Sequence, residues 1–150
     1  MRSGLVSAGL ACVALILLVA FTGGADAVDP RNIQENVAVA AGALEASSTV
    51  GQTFLFHYPN LHALEVRWIV SPDLEYAPGS RAVLHLRHRP ADSSDLVAVS
   101  IGLDEIHNND FAKFTFPPIP DSRDQPFYFF LEIQPTQITR GYVSVWASAG

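Results

Sequence analysis

The sequence predicts an all-β domain, a jelly-roll-like β-sandwich of seven to eight antiparallel strands preceded by an N-terminal apolar helix. Three observations carry this. Apolar residues alternate at a period of two through residues 49–147. Pro, Gly and Asp clusters break the runs at short intervals. No stretch beyond the N-terminal segment shows the 3.6-residue period of a long amphipathic helix.

Residues 28–48 are a lead-in rich in small residues (Ala38, Ala40, Ala41, Ala43, Ala46), which reads either as a first edge strand over residues 36–41 or as a linker. Residues 52–58 place Phe54 and Phe56 on one face and Leu55 on the other. Leu64, Val66, Trp68 and Val70 alternate with Glu65, Arg67 and Ile69. Ala82, Leu84 and Leu86 alternate with Val83, His85 and Arg87. Residues 96–101 and 127–131 are apolar on both faces, which predicts central strands covered on both sides. Phe114 and Phe116 oppose Lys113 and Thr115, and Val143 and Val145 oppose Tyr142, Ser144 and Trp146. Residues 103–106 allow one helical turn at most. Trp68, Leu84, Leu86, Phe129 and Leu131 are the expected core.

A chain of 150 residues suits one such domain. With 49% hydrophobic and 16% charged residues it lacks the composition of a disordered chain. The net charge of −6 provides no electrostatic footprint for nucleic acid or an anionic membrane surface.

The N-terminus reads as an address. Met1-Arg2-Ser3 precedes an uncharged apolar stretch over residues 5–21, followed by Gly23-Gly24-Ala25-Asp26-Ala27. This is the pattern of a signal peptide cut after Ala27; the alternative is an uncleaved membrane anchor. Arg2 then stays inside, so both readings place residues 28–150 outside the cytoplasm, secreted or held at the membrane through residues 5–21 alone. Cys12, the single cysteine, lies in this stretch, so the domain is expected to fold without a disulfide.

The segments Val50-Gly51-Gln52-Thr53-Phe54, Leu61 to Val66, Ala82-Val83-Leu84-His85-Leu86-Arg87, Phe114-Thr115-Phe116-Pro117-Pro118-Ile119-Pro120-Asp121-Ser122 and Phe127-Tyr128-Phe129 resemble those of small jelly-roll ectodomains of the bacterial envelope. Such domains are similar to carbohydrate-binding modules, and some are attached to membrane proteins of the glycosyltransferase type. The resemblance spans about residues 49–147. It implies a jelly-roll fold and a link to envelope glycans.

Motifs for catalysis are lacking: there is no Gly-x-Ser-x-Gly, no phosphate loop and no dinucleotide fingerprint. A non-catalytic module is expected, with a carboxylate-based hydrolase as the alternative. His85 and His88, three apart on a strand, point to opposite faces and cannot share a metal ion. Loop carboxylates suit a structural calcium, with Asp121 and Asp124 as candidates; no other cofactor is implied.

Aromatic residues remain. Tyr128 and Phe130 share one strand face, and Tyr142 and Trp146 share another; Tyr58 and Tyr76 fall in expected loops. If these faces look outward, the rings stack on the apolar C–H faces of sugars; the alternative is that they belong to the core or are covered by residues 28–48. The expected partner is therefore a glycan, the alternative being another envelope protein held through a sheet face or edge strand.

Overall fold

The structure is a computed structural model that describes residues 37–44, 48–134 and 138–148. The N-terminal apolar segment, with the helix and cleavage site expected there, lies outside the described residues.

The described chain is all-β and antiparallel. Its ten strands are β1 (Val37–Ala40), β2 (Val50–Phe56), β3 (Leu61–Val70), β4 (Glu75–Tyr76), β5 (Arg81–Arg87), β6 (Val97–Gly102), β7 (Phe111–Ile119), β8 (Gln125–Gln134), β9 (Ile138–Arg140) and β10 (Val143–Ser148). Eight of them form two four-stranded sheets, ordered β1-β10-β3-β7 and β2-β8-β5-β6; β4 and β9 make a separate ribbon. The pairings nest: β1 with β10, β2 with β8, β3 with β7, β5 with β6. Two further ladders, β10 with β3 and β8 with β5, complete the sheets. The ribbon takes the count beyond the seven to eight strands expected. Its strands of two and three residues are too short to show a period.

Period-two alternation sets the faces. In β5, Ala82, Leu84 and Leu86 are buried while Val83, His85 and Arg87 are only partly covered. In β3 and β7 the same rule buries Val66, Trp68, Phe114 and Phe116. These residues join Phe127, Leu131 and Ile133 of β8 and Val143 and Val145 of β10 in one hydrophobic cluster fed by both four-stranded sheets. Burying side chains of this size contributes about 1.5–3 kcal/mol each.

Three expectations change. Residues 97–102 form an edge strand rather than a central one. Their second face is Ala98 and Ser100, which are exposed: small residues do not reveal whether a further layer covers them. Phe129, expected in the core, is half-buried against it; its neighbour across β2 is the exposed Gln52. Tyr76 lies in β4 rather than a loop and packs against the core. The lead-in supplies the edge strand β1, and Leu44 beyond it is fully buried, with its N–H donating to the Val143 carbonyl at 2.8 Å.

Turns fit their residues. Asn60, Asn109 and Asp124 take positive φ (65°, 64° and 54°), a conformation these side chains tolerate. Gly141 (φ 72°) closes the β9–β10 turn where a Cβ would stand 2.9 Å from the Leu74 Cα. Residues 103–105 make one helical turn, of 3-10 type, as expected of residues 103–106. The fully buried Ser122 ties two turns together: its hydroxyl accepts from the Leu61 N–H and donates to the Tyr58 carbonyl, both at 2.9 Å.

Candidate functional site

β8 is flanked by β2 and β5, and its even-numbered residues stand opposite the buried Phe127, Leu131 and Ile133. Tyr128, Phe130, Glu132 and Gln134 therefore line the outer face of the β2-β8-β5-β6 sheet. The register sets Thr53 and Arg87 on either side of Tyr128, and Gly51 and His85 on either side of Phe130.

The rings on this face associate. Tyr128 and Phe130 have centroids 6.0 Å apart with planes at 27°. His85 stacks on Phe130 at 4.4 Å, and the Arg87 guanidinium carbon lies 4.7 Å from the same ring's centroid. Gly51 makes room for Tyr128: a Cβ there would stand 2.6 Å from the tyrosine hydroxyl and 2.6 Å from the Phe129 carbonyl oxygen. Glycine at this position costs β propensity, and a ring reaching sideways across β2 explains its presence.

Four charged or titratable groups of the face, His85, Arg87, Asp95 and Glu132, contact one another, while Arg81 at the end of β5 reaches only the Ser100 hydroxyl among the described residues, at 3.4 Å. Asp95, from the β5–β6 connection, accepts from Arg87 Nε at 2.6 Å through one oxygen; its other oxygen lies 2.6 Å from His85 Nδ1. The second imidazole nitrogen, Nε2, is 3.2 Å from a Glu132 carboxylate oxygen, and the same oxygen accepts from the Gln134 amide. Partial burial pushes the Asp95 carboxyl up, but hydrogen bonds from His85 and Arg87, together with their charges, outweigh it and hold the group below its usual range. Such a surface offers aromatic rings beside donors and acceptors held by their own contacts.

The other expected aromatics lie elsewhere. Trp146 is in β10, in the other four-stranded sheet, so it does not join Tyr128 and Phe130. The Arg67 guanidinium carbon sits 5.9 Å from the Trp146 ring and 5.8 Å from that of Phe111. Tyr142 precedes β10 and is 48% exposed. Tyr58 packs edge-on to Phe56 at 6.2 Å. Of the calcium candidates, Asp121 is exposed, and Asp124 contacts His57 Nδ1 at 3.0 Å; no group of three metal-ligating side chains occurs among the described residues.

The sequence singles out Tyr128 and Phe130, which the structure sets side by side, but not His85, Arg87, Asp95 and Glu132 as their surroundings. The period-two rule placed His85 and Arg87 on one face, yet nothing in one sequence says that Asp95 folds back onto them or that β8 lies alongside. No protein-family model matches this chain, and neither a curated protein nor a solved structure matches it.

Proposed function

We propose that this chain is an exported, non-catalytic jelly-roll sandwich that binds glycans of the cell envelope or its surroundings through the outer face of β2-β8-β5-β6. One observation carries the reading: Tyr128 and Phe130 stand side by side on that face, partly exposed, within a frame of paired polar groups. The jelly-roll reading is supported by the nested pairings, which are those of one long hairpin rolled up, and by the single cluster that draws on both sheets. Export is supported by the basic start, the apolar stretch of residues 5–21 and the small residues around Ala27. Because the groups nearest the rings, His85, Arg87, Asp95 and Glu132, contact one another, affinity comes from ring stacking and neutral hydrogen bonds.

The test is a glycan array of envelope polysaccharides, followed by titration of hits with the wild type, Tyr128→Ala and Phe130→Ala. Both variants should remain folded and lose binding, while Trp146→Ala, in the other sheet, should retain it. Affinity should change little with salt, unlike contacts to a polyanion. Absence of binding to every polysaccharide overturns the glycan reading.

A second reading, contact with another envelope protein, is favoured by one feature. Phe111 is 57% exposed beside Arg67 and Trp146, on the sheet that lacks Tyr128 and Phe130.

A further inference from the structure

We infer that β6 pairs antiparallel with β6 of a second copy of this chain, so that two β2-β8-β5-β6 sheets join into one. β6 ends its sheet: β5 is on one side, and among the described residues no main-chain hydrogen bond joins its other side to β7. An edge of this kind leaves a row of N–H and C=O groups open, and proteins usually guard it with charge or proline. The strand Val97–Gly102 contains neither. β7, which comes nearest to it, carries Pro117 and Pro118, whose nitrogens cannot donate. A groove of about 490 Å³, lined by residues 96–99 and 117–120, runs beside the open edge without a charged side chain.

The sequence of β6 selects its own copy as the occupant. Paired antiparallel about Val99, the strand sets Val97 against Ile101 of the second copy and Ala98 against Ser100, matching branched with branched and small with small. β2, the opposite edge of the same sheet, fails this test. Paired about Thr53, it sets Gly51 against Leu55 and Gln52 against Phe54. The inner-face residues Val97, Val99 and Ile101 are only half-buried because the layer stops at β6, and a second strand would extend their cover.

The joined sheet would hold both β8 strands with their outer faces on the same side, five strand spacings or about 24 Å apart. Where the glycan reading holds, one polymer then meets two ring pairs at once, and avidity exceeds the single-site affinity.

Sedimentation equilibrium over about 1 μM to 1 mM tests the pairing without any glycan, because six paired residues fall below the size of a permanent interface and give a concentration-dependent dimer. The wild type should pass from monomer to dimer in this range. Ala98→Lys/Ser100→Lys, at two exposed positions, should stay folded and monomeric by setting lysines against each other across the axis. A wild type that is monomeric throughout, or association that persists in the double variant, overturns the proposal. The outcome is independent of whether the face binds glycans.

Discussion

The imidazole of His85 lies parallel to the phenyl ring of Phe130, with centroids 4.4 Å apart and planes at 3°. The two residues are direct cross-strand partners of β5 and β8, so their backbones are already in register for contact. Asp95 grips the outer edge of the imidazole and the Arg87 side chain together. This makes the ring pair a fixed object, since four side chains from two strands and a loop must move together.

The Asp95 carboxyl should make this region acid-sensitive. Its folded-state pKa lies below that of the unfolded chain, so the stabilisation is complete above about pH 4 and fades as pH falls through the lowered value. Asp95→Asn should lower the melting temperature by about 2–4 °C near pH 7, since such a partly exposed pair is worth about 1 kcal/mol or less. The gap from the wild type should close near pH 2. Thermal unfolding followed by circular dichroism at both pH values checks this; a gap that persists in acid contradicts it.

Ser122 should prove disproportionately important for a serine. Replacing it with Ala leaves the Leu61 N–H and the Tyr58 carbonyl without their partner at a fully buried position. Ser122→Ala is expected to cost about 1–3 kcal/mol in urea unfolding, and Ser122→Thr to disturb packing besides.

Phe127 and Phe129 occupy one face of one strand and should behave differently. Phe127 is fully buried, and Phe127→Ala should cost about 3–5 kcal/mol. Phe129 is half-buried beside Gln52, so Phe129→Ala should cost distinctly less. Equal losses in denaturant titrations would refute this ranking.

Gly51 should tolerate no side chain. In Gly51→Val the new Cβ meets both the Phe129 carbonyl oxygen and the Tyr128 hydroxyl, each at 2.6 Å. Displacement of Tyr128 and a loss of about 1–3 kcal/mol are expected. Tyrosine fluorescence and denaturant unfolding read the two effects.

Much of the fold is visible in residue order because its longer strands have one buried face. β3 and β5 show the alternation plainly, whereas in β10 the polar Ser144 is buried along with Val143 and Val145; the Pro72-Asp73, Pro78-Gly79 and Gly141 breaks fall at turns. What escaped has physical causes. β4 and β9 are too short for any period. Ala98 and Ser100 are compatible with either a covered or an open face. Leu44 is a lone large apolar residue among Ala and Ser, so nothing marks it as core until β10 is seen beside it. The candidate face was half visible: alternation sets Tyr128 and Phe130 on one side of β8, but a strand apolar on both faces reads as covered, and only the structure leaves these rings partly exposed; His85, Asp95 and Glu132 meet only through strand order.

The pairing of β1 with β10 ties the first described strand to the last. Loop closure over such a separation is entropically costly and is recovered only when the intervening strands are in place. While the polypeptide is being synthesised, the β1-β10-β3-β7 sheet lacks the strand that joins β1 to β3, and it cannot assemble until residues 143–148 have emerged. Completion of this sheet thus waits for residues 143–148. A truncation that removes β10 should leave a collapsed, protease-sensitive chain instead of a slightly smaller domain.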